Sequence, residues 1–220
     1  MTRFELERDG AQHLTNAFDV KNWSGLVAEM PEPKAGVRLF GDNELKNLLN
    51  IESEIQNVAR EYLGENAQPV RAIYFNKTAE NNWPLGWHQD RTIAVKERFE
   101  IEGFGPWSIK AGLHHVEPPF EVISQMVTLR LHLDKVDETN APLRFAPGSH
   151  RMGKLKVSNY QGTLDACGEA VSLAEAGDIW VYRTSILHAS DAAAKPKQRR
   201  VIQIDYSAAE LPSLLEWAGI

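Results

Sequence analysis

The chain has 220 residues, of which 43% are hydrophobic and 25% are charged. This composition is typical of a globular protein that buries its own core, and we expect one domain spanning residues 1–220. The net charge of −6 argues against a nucleic-acid partner. No sequence window approaches the roughly 20 apolar residues of a membrane helix, so no membrane partner is expected.

Two features of the sequence indicate the cellular setting. The first ten residues mix charges and lack the apolar core of a signal peptide. Cys167 is the single cysteine, so an internal disulfide and a thiolate-rich metal site are both excluded. We therefore expect a reducing, cytoplasmic location.

Apolar residues recur at helical intervals in the first third of the chain. The periodicity predicts a helix over residues 14–30 and a clearer one over 43–63. Asp42 is a suitable N-cap for the second helix, and Gly64 is a suitable residue to end it. The pattern predicts a helical N-terminal layer over residues 1–68.

From residue 69 onward, short strand-like runs are separated by Pro and Gly turn signals. The alternation is clearest in the run that contains Leu129 and Leu131, where the leucines face one way and the polar residues face the other. The predicted strands cover residues 70–75, 126–136, 143–146, 171–173, 178–182 and 200–206.

These elements together predict a mainly β protein with α-helices. The expected architecture is a jelly roll (double-stranded β-helix, cupin-like) over residues 69–220, with the N-terminal helices packed on one sheet. Segment 96–120 is long and rich in aromatic residues and glycine. Long segments of this kind are often functional, and this one is expected to be an active-site lid.

Non-haem iron(II) oxygenases bind their metal through two imidazoles and one carboxylate, which leaves the opposite positions open. In a strand, residues i and i+2 project to the same side, so His-x-Asp or His-x-Glu presents two ligands from one short segment. The sequence contains three such pairs: His88/Asp90, His115/Glu117 and His132/Asp134.

The surroundings of the three pairs differ. His132/Asp134 lies on the polar side of an amphipathic strand, which favours a solvated face with a structural ion pair. His115/Glu117 runs into two prolines and is expected in an extended loop. The pair His88/Asp90 is preceded by Trp83 and Trp87, which favours a partly dry metal site. The residue pattern ranks this pair first and leaves the others open.

A later segment supplies a third imidazole. The sequence from residue 175 to 190 is typical of a turn and a strand followed by His188, and Arg199 comes eleven residues later. A guanidinium beside a metal site is suited to hold the distal carboxylate of a dicarboxylate co-substrate in a bidentate fork.

Five features in this order resemble the phytanoyl-CoA dioxygenase family of iron(II)/2-oxoglutarate-dependent oxygenases. They span about residues 70–206. They are Trp-His-Gln-Asp at 87–90, Leu-His-Leu-Asp-Lys-Val-Asp-Glu-Thr-Asn at 131–140, Ala-Pro-Gly-Ser-His at 146–150, Gly177-Asp178 before a strand, and His188 followed by Arg199.

The resemblance implies a set of site residues. Family members place His-x-Asp well before the Pro-Gly-Ser-His turn, which favours His88 and Asp90 as iron ligands with His188. Arg199 would bind the distal carboxylate of 2-oxoglutarate and Ser190 would contact the same co-substrate. Weaker candidates for lining that pocket are Gln89, Thr128 and Arg130.

Some assignments within this set depend on finer arguments. Arg199 and Arg200 alternate faces of one strand, and Arg199 is chosen on its spacing from His188. His150 is expected to stabilise its turn or support a ligand. The family usually has glycine where this chain has Ala141, which is expected to affect substrate fit. Because Asp90 is retained, hydroxylation is expected rather than halogenation.

The implied enzyme is a dioxygenase that hydroxylates a small molecule with O2, releasing succinate and CO2. The alternatives are a cupin-like metal enzyme that does not use 2-oxoglutarate, a catalytically silent ligand-binding protein on the same fold, and a zinc hydrolase. The substrate and the oligomeric state stay open. Trp83, Trp87, Phe104 and Trp107 would close the pocket or pack in a core. Five basic residues are expected near the presumed opening, where they either contact an anionic substrate or are solvated surface charges. They are Lys77, Arg91, Lys96, Arg98 and Lys110.

Overall fold

A computed structural model describes residues 3–28, 30, 36–212 and 214–220. The α-helices are α1 (Leu6–Asp9), α2 (Ser24–Ala28), α3 (Asn43–Leu48), α4 (Glu54–Leu63), α5 (Phe120–Ser124) and α6 (Tyr160–Cys167). The 3-10 helices are Val20–Trp23, Ser149–Met152 and Val157–Asn159. The strands are β1 (Ala11–Leu14), β2 (Val37–Leu39), β3 (Gln68–Lys77), β4 (Leu85–His88), β5 (Ile93–Val95), β6 (Trp107–Lys110), β7 (Leu113–Val116), β8 (Val127–His132), β9 (Leu143–Phe145), β10 (Ala170–Ser172), β11 (Ile179–Arg183), β12 (His188–Ser190) and β13 (Arg199–Ser207).

The strands form three antiparallel sheets. The large sheet has the order β1-β11-β8-β13-β3-β2, and a four-stranded sheet has the order β10-β9-β12-β4. The two sheets pack face to face through Leu143 and Phe145 of β9 against Trp180 and Tyr182 of β11. A third sheet, β5-β7-β6, lies at one end. The predicted jelly roll is confirmed.

The outer face of the large sheet is covered by the N-terminal helices. Leu129 and Leu131 of β8 share one buried apolar cluster with Leu45 of α3 and with Ile55 and Ala59 of α4. Each fully buried aliphatic side chain of this kind contributes about 1.5–3 kcal/mol to folding. The prediction that helices pack on one sheet is therefore confirmed.

Two of the predicted helices have different boundaries in the structure. The segment predicted as a helix over 14–30 contains the end of β1, a 3-10 turn and α2, and Glu29 lies outside the described residues. The helix predicted over 43–63 is two helices, because Ser53 caps a new start by accepting a hydrogen bond from the Gln56 amide at 3.1 Å.

The predicted ends of this helical segment are confirmed. Asp42 caps α3 by accepting from the Leu45 amide at 3.0 Å, and Gly64 follows α4 with a φ of 80°. The N-terminal part is not purely helical, however. β1 and β2 add to opposite edges of the large sheet, where backbone pairing with β11 and β3 decides their conformation.

The polar side of β8 is not solvated, contrary to the expectation from its sequence. Thr128, Arg130 and His132 are all buried, because the four-stranded sheet covers this face. Asp134 follows the end of β8 and binds Arg200. An amphipathic alternation in a jelly roll therefore separates an apolar outer core from a polar interior.

His132 gives a testable pH dependence of stability. Burial, followed by the charges of Arg130 and Arg199, lowers its pKa well below 6.5. Below about pH 6.5 the unfolded chain gains a proton that the folded chain does not, so unfolding becomes easier as pH falls. We expect His132→Gln to reduce the pH slope of unfolding free energy by up to about 1.4 kcal/mol per pH unit below pH 6.5. Urea titrations at several pH values measure it, and equal slopes in the two proteins contradict the assignment.

The segment expected to be a lid contains regular structure. Strands β6 and β7 form a hairpin within it, so His115 lies in a strand rather than in an extended loop. Phe104 and Trp107 pack into the apolar cluster beneath this sheet, and Trp87 packs in a separate cluster. These three aromatic side chains therefore act as packing residues. In the described part of the chain, no helix has the length and apolar character that crossing a membrane requires.

Candidate functional site

Two histidines from distant parts of the sequence meet in the four-stranded sheet. His88 ends β4 and His188 begins β12, and the two are directly opposite one another with ring centroids 4.2 Å apart. Nδ1 of His88 bonds the Gly86 carbonyl at 2.8 Å, and Nδ1 of His188 bonds the Ile186 carbonyl at 2.9 Å. A carbonyl only accepts, so Nδ1 carries the hydrogen in both rings. In the neutral form of each ring, Nε2 therefore carries the lone pair with which a histidine binds a metal.

Electrostatics keeps these groups in the states that bind a cation. Burial, followed by the charge of His88, lowers the pKa of His188 to about 4, so the ring is neutral at physiological pH. Burial alone would raise the pKa of Asp90, but Arg71, followed by the two histidines, lowers it below its ordinary value. Asp90 is therefore ionised.

The Asp90 carboxylate faces a guanidinium. Its Oδ2 lies 3.6 Å from Nη2 of Arg71. Among the described residues, no group of three or more His, Cys, Asp or Glu side chains already has a spacing that could hold a metal. Joint ligation by His88, Asp90 and His188 would require these side chains to draw closer together.

Arg71 lies between two carboxylates in the interior. Its Nε donates to Oδ2 of Asp205, and Thr128 donates through Oγ1 to Oδ1 of the same carboxylate at 2.8 Å. Asp205 is almost fully buried. The interaction with Asp205 holds the guanidinium beside Asp90, which makes Arg71 a positioning residue that the sequence analysis missed.

Arg199 and Ser190 come together at the other end of the interior. Arg199 is buried on β13 directly opposite Lys77 of β3. Lys77 donates to Oγ of Ser190 at 3.1 Å and to the Asp191 carbonyl at 2.9 Å. Arg199 Nη1 donates to the Ala141 carbonyl, to which Ser190 Oγ also donates at 3.3 Å.

Lys77 corrects one of the sequence-based expectations. It was expected to be either a surface charge or a residue near the opening, yet it is only 2% exposed. The alternation of β3 contained the signal, since Arg71, Ile73, Phe75 and Lys77 share the face opposite the helix-facing Ala72 and Tyr74.

The neighbouring arginines face opposite ways. Arg200 forms a two-point pair with Asp134, with Nε to Oδ2 at 2.9 Å and Nη2 to Oδ1 at 2.7 Å. This pair is partly exposed, whereas Arg199 is 3% exposed. Arg199 is therefore the inward-facing member, as its spacing from His188 predicted.

Thr128 and Arg130 line a cavity with Asp90, His188 and Gln203. Arg130 Nη1 donates to Oε1 of Gln203 at 2.6 Å, and its Nε is buried without a partner among the described residues. Thr128 is bonded to Thr184 and Asp205. Two of the three weaker sequence candidates, Thr128 and Arg130, thus line a cavity with His188.

Lys77, Arg130 and Arg199 form a buried cationic cluster. Burial, followed by Arg130, lowers the pKa of Arg199 to about 9, and burial, followed by Arg199 and Arg130, lowers the pKa of Lys77 to about 7. Nε of Arg199 is also buried without a described partner. In the described residues, none of the three cations is hydrogen-bonded to a carboxylate. Unpaired buried charge is costly, so this cluster is suited to an anion supplied from outside.

Gln89 does not belong to the co-substrate pocket as predicted. Its amide nitrogen donates to the Gly153 and Ser185 carbonyls at 3.1 and 2.7 Å, and Oε1 accepts from the Leu155 amide at 2.8 Å. Because it lies between His88 and Asp90, it points the other way and connects β4 to two loops.

This role of Gln89 predicts a loss of stability. We expect Gln89→Leu to lower the free energy of unfolding by about 2–3 kcal/mol, because three backbone groups lose their partner. Denaturant unfolding measures the change, with the surface variant Gln161→Leu as control. A loss no larger than that of the control would show that Gln89 does not brace the loops.

The Pro-Gly-Ser-His turn supports the histidine strand from behind. Ser149 Oγ accepts from the Leu187 amide at 2.9 Å, and the Ala146 amide donates to the Leu187 carbonyl at 2.9 Å. These bonds fix the residue before His188. His150 packs against Gly10, where an added Cβ would come within 2.3 Å of Nδ1. The turn therefore positions His188 without adding a ligand.

Ala141 occupies a backbone conformation that favours glycine. Its φ of 54° is left-handed, and its carbonyl accepts from both Arg199 and Ser190. The departure from the family pattern thus contacts the cationic cluster, and its effect on substrate fit stays a prediction.

A substitution tests this strain. We expect Ala141→Gly to raise the free energy of unfolding by up to about 1 kcal/mol, because glycine adopts this conformation without a Cβ clash. Thermal unfolding of the two proteins measures the difference. A clear loss of stability would contradict the assignment.

Three crystal structures have similar folds at low sequence identity. EctD from S. alaskensis with 2-oxoglutarate and 5-hydroxyectoine is 16% identical, with a TM-score of 0.68, over 98% of this chain and 77% of that chain. The non-heme alpha-ketoglutarate-dependent epimerase SnoN from nogalamycin biosynthesis is 16% identical, with a TM-score of 0.68, over 92% and 77%. HygX from Streptomyces hygroscopicus with nickel and 2-oxoglutarate is 11% identical, with a TM-score of 0.63, over 92% and 83%.

Sequence comparison identifies the family. Among curated protein sequences, none matches the chain. The model of the phytanoyl-CoA dioxygenase (PhyH) family matches residues 28–201, which is most of the chain. This match confirms the resemblance carried by the five sequence features. The chain belongs to the phytanoyl-CoA dioxygenase family.

Proposed function

We propose that this protein is an iron(II)- and 2-oxoglutarate-dependent dioxygenase that hydroxylates a small molecule with release of succinate and CO2. The observation that carries the proposal is the buried cationic cluster of Lys77, Arg130 and Arg199 beside the paired imidazoles of His88 and His188. A dicarboxylate that also chelates a metal satisfies both features at once.

The residues present fit both groups. His88 and His188 present Nε2 atoms that are not used by their hydrogen bonds, and Asp90 offers an ionised carboxylate. We propose these three as the iron ligands. When bound, iron(II) with 2-oxoglutarate supplies the activation of O2 and the oxidation of an unreactive C–H bond.

The remaining residues bind and orient. Arg199 and Ser190 are proposed to hold the distal carboxylate of 2-oxoglutarate, and Lys77 keeps Ser190 in place by its hydrogen bond. The buried guanidinium of Arg130, with its unpartnered Nε, adds positive charge between this end and the histidines. Thr128 holds Asp205, which in turn holds Arg71 beside Asp90.

The proposal also names hydroxylation, rather than epimerisation or halogenation, as the reaction. EctD is a structural neighbour whose crystal holds 5-hydroxyectoine, whereas SnoN is an epimerase. Asp90 occupies the carboxylate position proposed for the metal, which favours hydroxylation over halogenation. The structural likeness supports either a hydroxylated or an epimerised product.

The experiment adds iron(II) and 2-oxoglutarate to the protein without O2. A chelate of the two in the site should give a weak visible charge-transfer band that is absent with iron alone. The missing band in protein that demonstrably holds iron would overturn the 2-oxoglutarate assignment. A screen of metabolites for stimulated succinate release then identifies the substrate, and product analysis separates hydroxylation from epimerisation.

A further inference from the structure

Arg38 extends into the interior at the end away from Arg199. It lies on β2 opposite Ile73, while its neighbours Val37 and Leu39 face the helical core. Its guanidinium Nε is buried, and the Arg38 side chain forms no hydrogen bond or ion pair with any described residue. Because Arg71 is two residues from Ile73 on the same face, Arg38 and Arg71 are diagonal neighbours across the two strands.

Lys110 lies opposite Leu113 in the β6–β7 hairpin, so it shares a face with His115. The same small sheet reaches Arg71 at β5, because Nη1 of Arg71 donates to the Thr92 carbonyl at 3.4 Å. The turn after it uses left-handed residues, Ala111 at φ 51° and Gly112 at φ 80°, which reverse the chain tightly. Burial, followed by the charges of Arg38 and Arg71, lowers the pKa of Lys110, while Asp90 acts in the opposite direction. The exposed ammonium group has no hydrogen-bond or ion-pair partner among the described residues.

His115 adds an acceptor at the base of this hairpin. It is fully buried, its Nδ1 bonds the Leu113 carbonyl at 3.0 Å, and its Nε2 has no partner among the described residues. Burial is the largest cause that lowers the pKa of His115 to about 4, with contributions from Arg38, Arg71 and Lys110. The ring is therefore neutral, and the lone pair of Nε2 is available to accept a hydrogen bond from a ligand.

The charges at this end do not balance. Asp205 is bound to Arg71, and Asp90 is the proposed metal ligand. Arg38 and Lys110 are then left without a counterion in the part of the chain that the structure describes. The pair Arg71/Asp205 is separated from the pair Lys77/Arg199 by six residues along the strands, or about 20 Å, so the two cationic ends are distinct.

We propose that the substrate carries an anionic oxygen group (a carboxylate, sulfate or phosphate) and that Arg38 and Lys110 bind this group at the Asp90 end of the interior. The substrate also carries a hydrogen-bond donor, from which Nε2 of His115 accepts. This inference rests on the proposed function and names the substrate class of the same site. Arg38 supplies planar donors and Lys110 a mobile point charge on the hairpin, which together suit an oxyanion.

Sulfate and its neutral isostere dimethyl sulfone test the anion site directly. Each is titrated at constant ionic strength into the protein with iron(II) and saturating 2-oxoglutarate, without O2. Calorimetry should show saturable sulfate binding, no sulfone binding, and at least tenfold weaker sulfate binding in Arg38→Gln and in Lys110→Gln. Lys96→Gln is the control, because Lys96 is an exposed lysine directly after β5 of the same small sheet and is paired with Glu216.

Three results of the calorimetry would contradict the anion site. Absent sulfate binding in the wild type, unchanged binding in Arg38→Gln, or displacement of sulfate by 2-oxoglutarate would each overturn the inference. Sulfate binding can also be measured with iron alone, without 2-oxoglutarate. A missing charge-transfer band would therefore overturn the proposed function and leave the test of the anion site intact.

Turnover supplies a second measurement. Compounds that stimulate succinate release should be anions, and their primary amides should not stimulate it. Arg38→Gln should raise the KM for such a substrate at least tenfold and leave the KM for 2-oxoglutarate unchanged. A neutral substrate that the wild type and Arg38→Gln turn over equally well would overturn the inference.

Discussion

Arg199→Gln should raise the KM for 2-oxoglutarate about a hundredfold while the protein still binds iron. The guanidinium is buried at the end of the interior, and no carboxylate of the described residues is hydrogen-bonded to it. Removing one partner of a buried, hydrogen-bonded charge pair costs about 2–5 kcal/mol. A loss of about 2.8 kcal/mol corresponds to a factor of one hundred. Succinate release at increasing 2-oxoglutarate concentration measures the effect.

Arg200→Gln is the matched control for this experiment. It removes the same functional group one residue later, on the opposite face, where the guanidinium is partly exposed and paired with Asp134. Exposed ion pairs contribute about 0–1 kcal/mol, so a small change in stability and an unchanged KM are expected. Equal KM values for Arg199→Gln and the wild type would show that Arg199 does not bind 2-oxoglutarate. Turnover that does not depend on 2-oxoglutarate would favour the cupin-like alternative.

Arg71→Met should produce the second large effect, in both stability and iron binding. The substitution leaves Asp205 buried with an uncompensated charge, and breaking a buried pair costs about 3–5 kcal/mol. It also removes the cation that faces Asp90 at 3.6 Å. Loss of a group that orients a metal ligand weakens metal binding by about 10–100-fold. Denaturant unfolding and titration of iron(II) without O2 measure the two quantities.

A double variant separates these two effects. Arg71→Met combined with Asp205→Leu removes both buried charges, and replacing a buried pair by apolar residues is often neutral for stability. We expect the double variant to regain most of the lost stability while iron binding stays weak. Full recovery of iron affinity together with stability would show that Arg71 supports only the fold and does not position Asp90.

Residues that act through distant contacts were the hardest to predict. Gln89 lies between His88 and Asp90 and was assigned with them, yet its amide binds backbone at residues 153, 155 and 185. Arg71 and Arg38 carried no motif, because their neighbours across the sheet lie far away in sequence. For the two arginines, the signal is a polar residue that alternates with core residues in a strand.

The sequence by itself determined the jelly-roll class, the N-terminal helices and the family, because periodicity and short motifs are local properties of the chain. It also selected Arg199 over Arg200, since alternate strand residues face opposite sides. Only the tertiary structure decided that the polar side of β8 is interior, because which face a second sheet covers depends on chain-distant packing. The same packing brings Lys77 to Ser190 and separates Asp134 from His132. It also leaves Arg38 and Lys110 without an ion-pair partner among the described residues at the Asp90 end.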